Sequence, residues 1–370
     1  MSKTTMEQLG EYGQSIWLDY ISRPLLKTGK LQGMIAQGLR GMTSNPSIFN
    51  ESISNSSDYD ENIAQLSEAG KSAFEIYDDL TVQDIKDACD IFLPLYKKTN
   101  FLDGYVSLEI NPKLAMDTDA SIKEGLRLFR RVAHPNAMIK VPATDAGFPV
   151  IEELLSQGVN VNTTLIFSLE QYEKTAYAFL KGAQRFSQQG GDLKRLGSVA
   201  SVFVSRIDTA IDKMLGEKGE KALQGKAAVA NSKIIFKRFG EIFSSNDFNS
   251  LAKEGCLPQR VLWGSTGTKN PAYSDIKYVT ELIAKPTVNT VPEKTINAFL
   301  DHGNAKEAFS AKDIGDAQKV VSDLQKFGTD INDVCGKLLL DGVKAFETSF
   351  EALLAAIESK ARSLSRISGK

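Results

Sequence analysis

Histidine and cysteine are scarce in this chain of 370 residues: the histidines are His134 and His302, the cysteines Cys89, Cys256 and Cys335. An odd number of widely spaced cysteines indicates neither a disulfide framework nor a zinc site. So little His and Cys also speaks against a metal hydrolase or a cysteine protease, and no metal is expected. Charge of one sign is lacking too. The 44 Lys and Arg against 46 Asp and Glu leave a net charge of -2, with no electrostatic footprint for nucleic acid or an anionic membrane. No segment is long and apolar enough to span a bilayer, and the N-terminal "MSKTTMEQLGEYGQS" has no apolar signal region. Neither is a nucleic acid or a membrane expected as partner, and a reducing cytoplasm is the default location. No G-x-G-x-x-G follows a candidate strand. "GSTGTKN" (264–270) is no P-loop, because two residues separate its glycines and Thr268 precedes its lysine. Nucleotide and nicotinamide binding therefore have weak support, and no cofactor is expected.

What remains is ordinary for a globular protein: 42% hydrophobic and 24% charged residues, in a chain long enough for one large domain or two small ones. Short apolar runs alternate with helical patterns. The candidate strands are "SIWLDYI" (15–21), "GMTSN" (41–45), "GYVSLEI" (104–110), "AMIKVPA" (137–143), "VNVNTTLI" (159–166), "SVASVFVS" (198–205), "RVLWGST" (260–266) and "PTVNTV" (286–291). Several are mostly apolar rather than alternating, as parallel strands buried on both faces are. Between them, Ile122, Leu126, Phe129 and Val132 form a stripe after the capping candidates Thr118 and Asp119. Ile151, Leu154 and Leu155 precede Gly158, "SLEQ" (168–171) has capping-box spacing, and Ile276, Val279 and Leu282 form a stripe closed by Pro286. The stretch 207–255 is long enough for two or more helices. After Gly303 only helical patterns follow, ending with the stripe Val343, Phe346, Phe350, Leu353 and Ile357. This alternation predicts an α/β fold, a (β/α)8 barrel with additional helices, with a doubly wound open sheet as the alternative. The expected division is a barrel over 1–310 and a C-terminal helical extension over 311–370 packed on it within one domain.

In such a barrel the reacting groups gather at the C-terminal strand ends, and these ends are polar. They carry Asp19, Thr43 to Asn45, Glu109, Lys140, Asn162 to Thr164, Ser201 to Arg206, and Thr266 to Lys269. A lysine buried on an apolar strand is a candidate for attack on a ketone, since desolvation favours the neutral amine that forms a Schiff base. The protonated imine then serves as an electron sink for breaking the adjacent carbon–carbon bond, and Asp19 and Glu109 are placed to move protons. The alternative for Lys140 is a buried ion pair with one of these carboxylates. Arg206 with nearby hydroxyls suits a phosphate, and its alternative is a surface arginine at a helix start.

Together "GMTSNPSIF", "VSLEINPKLA", "MIKVPATDAG", "VNVNTTLIFS", "SVFVSRID" and "LWGSTGTKNPAYSD" resemble the transaldolase family, in the family's order over about residues 15 to 300, and the chain length resembles its larger bacterial type. The resemblance implies a cofactor-free (β/α)8 enzyme that moves a dihydroxyacetone unit between sugar phosphates. The donors would be sedoheptulose 7-phosphate or fructose 6-phosphate, and the acceptors glyceraldehyde 3-phosphate or erythrose 4-phosphate, in the non-oxidative pentose phosphate pathway. It implies Lys140 as the Schiff-base lysine and Glu109 as acid/base acting with Thr164 through a water. Asp19 would take the hydroxyl proton at cleavage. Asn45 and Asn162 would hold the donor, with Thr43 and Ser107 beside them, and Ser201 and Arg206 would form the phosphate site. Phe203 shares a strand face with Ser201 and would point into the same mouth, where fructose 6-phosphate aldolases carry a tyrosine; the alternative for it is barrel core. Two departures stand out: Lys269 replaces a second phosphate-binding arginine of the smaller enzymes, and Gly41 replaces an acidic residue before "TSNP". A fructose 6-phosphate aldolase and a catalytically silent sugar-phosphate-binding barrel are the competing functions. A monomer or homodimer is expected.

Overall fold

The computed structural model describes residues 3–368. Eight parallel strands close into a barrel in chain order: β1 (Gln14–Asp19), β2 (Leu39–Thr43), β3 (Val106–Glu109), β4 (Ala137–Pro142), β5 (Val161–Ile166), β6 (Ser198–Phe203), β7 (Arg260–Gly264) and β8 (Thr287–Val291). Pairing of β8 back onto β1, with Gln14 opposite Thr287 and Leu18 opposite Val291, closes the ring and rules out the open sheet. All eight segments expected to be strands are strands, with their ends displaced by a residue or two. β2 is displaced by two residues at both ends, and at its C-terminal end the cause is local. Asn45 caps the helix Pro46–Ser54 by accepting from Ile48 N at 3.0 Å, and Pro46 starts that helix, so the chain leaves the sheet after Thr43.

Side chains alternate along each strand, so every second residue enters the barrel. Trp17, Tyr105, Met138, Val199, Leu262 and Val288 fill the middle as an apolar cluster apart from the main core, which lies between barrel and helices. Towards the N-terminal ends, Arg260 bonds Ser15 Oγ at 2.9 Å and Asp103 Oδ1 at 2.9 Å. Towards the C-terminal ends the inward positions turn polar, and the site lies there. Gly41 has a packing reason: a Cβ there would lie 2.6 Å from Trp17 Cε2, so any side chain, acidic or not, would collide with the indole.

The outer helices mostly follow the apolar stripes. Leu169–Gln188 opens with the expected capping box of Ser168 and Gln171, and 207–255 holds parts of three helices, Ser205–Glu217, Ala227–Ile242 and Asn246–Lys253. Two expectations need correction. Thr118–Val132 is capped by Asp117, which accepts from Ala120 N at 3.0 Å; the Thr118 hydroxyl donates instead to Ala146 O, and Asp119 sits inside the first turn. The stripe Ile276, Val279 and Leu282 is buried as expected, but only the short helix Lys277–Thr280 forms there.

The C-terminal helix Ile331–Ser368 packs on Pro46–Ser54 and Asp60–Glu68. Lys360 Nζ meets Asp60 Oδ1 at 2.7 Å, and the Phe350 ring stands edge-on to Tyr77 at 5.1 Å. A Cβ on Gly342 would lie 2.9 Å from Leu165 Cδ2, so the helix runs close over the C-terminal end of β5. Among the described residues no helix is long and apolar enough to cross a membrane.

Candidate active site

Lys140 stands on β4 among apolar neighbours and is 4% exposed. Its Nζ donates to Ser44 O at 3.0 Å and lies 3.5 Å from Glu109 Oε2. The pair is fixed by register, because Glu109 of β3 lies directly opposite Lys140. Burial pushes the Glu109 carboxyl up to about 7, opposed by Lys140 and reinforced by Asp19. Glu109 Oε2 and Thr164 Oγ1 are both buried without a hydrogen-bond partner among the described residues. Thr164 sits at an irregularity of β5: the register shifts between Thr163 and Ile166, and Leu165 takes a φ of 58°. Such a bulge re-aims the side chain beside it.

Asp19 ends β1 at the edge of the cavity. Protein packed around it pushes its carboxyl up, against Lys140, Thr43 and Arg206, which favour the charge. Thr43 Oγ1 donates to Asp19 Oδ1 at 2.8 Å. Ser201 Oγ donates to Asn162 Oδ1 at 2.6 Å, and Asn162 Nδ2 donates to Ser107 Oγ at 3.0 Å, so that amide is held between two hydroxyls. Asn45 spends its Oδ1 on the helix cap, so its amide hydrogens are what it can offer a ligand.

Arg206 lies in the first turn of Ser205–Glu217, with its guanidinium 5.3 Å from the centre of the Phe203 ring. It makes no hydrogen bond or ion pair with a described residue. Burial weakens its hold on the proton, with Asp19 acting the other way. Lys269 is exposed; partial enclosure and then the Arg206 charge lower its pKa. Two neighbouring cations, neither neutralised by a carboxylate bond among the described residues, make a receptive place for an anion.

One cavity at the barrel mouth is lined by Asp19, Thr43, Asn45, Lys140, Thr164, Ser201, Phe203 and Arg206. Glu109, Ser107 and Asn162 do not line it but touch residues there or each other. Lys269 borders a neighbouring cavity beside Ser205 and Tyr273. Sequence reasoning missed Gly264, Ser265, Thr290 and Phe346, which also line the mouth. Gly264 and Ser265 lie inside the expected strand 260–266 and Thr290 inside 286–291. Phe346 belongs to the apolar stripe of the C-terminal helix, which therefore roofs the cavity.

A family model described as transaldolase/fructose-6-phosphate aldolase matches residues 16–357. The chain belongs to this family. A Saccharopolyspora erythraea protein named Transaldolase is 43% identical over 97% of this chain and 98% of its own length. Similarly named proteins of Trichodesmium erythraeum and Mycobacterium ulcerans are 40% and 41% identical, covering 97% and 98% of this chain and 98% and 99% of their own lengths. The similarity therefore extends over nearly the whole of this chain, the segment beyond the barrel included.

Proposed function

We propose that this chain is a transaldolase that carries a dihydroxyacetone unit on Lys140 from a ketose phosphate to an aldose phosphate. The observation that carries the reading is Lys140 itself. It is a buried amine held, among the described residues, by a backbone carbonyl and a distant carboxylate, opening onto a cavity that also holds the guanidinium of Arg206. The amine attacks the ketone carbon. Glu109, through a water shared with Thr164, gives a proton to the departing hydroxyl, and an imine forms. Asp19 accepts the proton of the C4 hydroxyl, the C3–C4 bond breaks, and its electron pair enters the imine to leave an enamine. The first aldose phosphate departs, the second arrives, and the steps reverse. Arg206, with Lys269 nearby, holds the phosphate, while Asn45, Asn162 and Ser107 orient the donor's hydroxyls. Because Phe346 lines the cavity, we read 1–310 and 311–370 as one catalytic domain. Small sugar-phosphate substrates suit a cytoplasmic enzyme.

The test is borohydride reduction with fructose 6-phosphate followed by intact mass, beside a coupled assay with erythrose 4-phosphate as acceptor. A covalent three-carbon adduct and acceptor-dependent turnover are expected. In Lys140→Arg both should vanish, since a guanidinium stays protonated and is a poor nucleophile. No adduct in the wild type would sink the reading, and wild-type trapping in the variant would move the imine to another lysine.

A further inference from the structure

Thr290 ends the inward-facing side of β8, is 5% exposed and lines the cavity. Its hydroxyl lies 2.7 Å from that of Thr43, which lies 2.8 Å from Asp19 Oδ1. A hydroxyl has one proton to donate. An ionised carboxylate has none, so the Thr43 proton must point at Asp19. The Thr43–Thr290 bond can then form in one sense only, with Thr290 donating to Thr43. The chain runs one way, Thr290 to Thr43 to Asp19. Thr266 Oγ1 holds the start of this chain from the β7 side by donating to Thr290 O at 2.9 Å.

We propose that Thr290 is a positioning residue for the proton acceptor: it fixes the single proton of Thr43 on Asp19 Oδ1, which stabilises the carboxylate and leaves Oδ2 to receive the substrate's proton. The inference rests on the role given to Asp19 above. In the cleavage step the C4 hydroxyl proton passes to Asp19 Oδ2. The C3–C4 electron pair moves into the imine, and C4 becomes the aldehyde carbon. Thr43 keeps donating to Oδ1 throughout, so the chain favours return of the proton when the next aldehyde accepts the enamine. Other charged groups also act on Asp19: Lys140 from β4, Arg206 from the helix after β6, and Glu109 from β3. Protein packed around Asp19 works against its charge, so a device that supports the ionised form has something to oppose.

Two matched pairs isolate the hydroxyl: wild type against Thr290→Val, and Thr290→Ser against Thr290→Ala. The readout is single-turnover conversion of the six-carbon adduct of fructose 6-phosphate into the three-carbon adduct, trapped with borohydride across pH 5 to 9. Without the hydroxyl, the acid limb of cleavage should move up by about half to one pH unit. Cleavage on that limb should slow by roughly 3- to 10-fold, the scale of one hydrogen bond to a charged system. Formation of the six-carbon adduct should not change, and Thr290→Ser should behave like wild type. A merely structural role would slow both steps together and leave the limb in place. Should Thr290→Val fail to fold, the Ser and Ala pair carries the same comparison. An unmoved acid limb in the hydroxyl-free variants overturns the proposal, as does Thr290→Ser behaving like Thr290→Ala. Failure of the underlying reading shows differently: Asp19→Asn would then make the three-carbon adduct at the wild-type rate.

Discussion

Lys140 and Glu109 face each other across the β3–β4 register, with Nζ 3.5 Å from Oε2. The separation is longer than a good charge-assisted hydrogen bond. This is the ion pair that the sequence offered as an alternative to catalysis, and its geometry is compatible with the proposed roles as well. A carboxyl poised about 7 beside an amine can give a proton as the imine forms and take one as it hydrolyses.

That poise gives a signed pH prediction. Loss of the hydroxyl in imine formation needs the protonated acid, so the rate of six-carbon adduct formation should fall as pH rises through about 7. Hydrolysis of the imine of the new ketose phosphate needs the carboxylate as base, so product release should fall as pH drops through the same value. Glu109→Gln should flatten both limbs and slow both steps roughly 10²- to 10⁴-fold. Rapid-quench trapping of the six-carbon adduct and release of the new ketose phosphate in the presence of an acceptor measure the two. If both limbs persist unchanged in the variant, another group carries the proton.

Arg206 and Lys269 should differ in weight. Arg206→Ala should lower kcat/KM for phosphorylated donors by about tenfold or more, the loss expected for a charge-assisted hydrogen bond. Unphosphorylated dihydroxyacetone donors should lose little. Lys269→Ala should have the same selectivity with a smaller effect, because Lys269 is exposed and does not line the cavity. Steady-state kinetics on paired donors decide this. Equal losses for phosphorylated and unphosphorylated donors would take the phosphate away from Arg206.

Gly41→Ala tests the barrel's interior rather than its chemistry. The added methyl would sit 2.6 Å from the Trp17 ring, which is fully buried. Overpacking of this kind costs about 1–3 kcal/mol. A lower melting temperature with altered tryptophan emission is expected. An unchanged melting temperature would show that the ring has room to move.

The barrel was legible because parallel strands buried on both faces leave an unmistakable run of apolar residues, and a charged residue inside such a run is conspicuous. That is why "AMIKVPA" exposed Lys140. The less legible parts share a different physics. Phe346 sits in a stripe with Val343 and Phe350, and a stripe that roofs a cavity has the same spacing as one that packs on a core. Thr290 differs from a packing threonine only in what its hydroxyl meets, which depends on β2. Asp117, Thr118 and Asp119 are all able caps, and φ and ψ at Asp117 chose among them. The long helix Ala73–Lys98 gave no clean signal because buried Asp78 and Asp84 interrupt its apolar face. Both are satisfied from elsewhere: Asp84 by Arg23 at 3.2 Å and Tyr59 at 2.8 Å, Asp78 by Arg127 at 2.7 Å.

Phe203 should govern what becomes of the enamine. A transferase must keep that intermediate from water and protons until the second aldehyde arrives. The Phe203 ring lines the cavity and packs edge-on to Phe167 at 5.4 Å; a Cβ on Gly264 would come within 3.3 Å of its Cδ1, so the ring is held on that side. On this wall of the cavity it offers no hydrogen-bond donor, and Phe346 brings a second apolar ring to the mouth. Phe203→Tyr would add a hydroxyl able to orient water or protonate the enamine. Free dihydroxyacetone should then appear from fructose 6-phosphate without an acceptor, while transfer to erythrose 4-phosphate falls. The ratio of release to transfer, wild type against variant, is the measurement. Phosphate inhibition of the variant at the wild-type level would show that Arg206, stacked near the same ring, is undisturbed. An unchanged ratio in such a variant would mean that the ring is packing alone and that exclusion of water rests on the roof formed by the C-terminal helix.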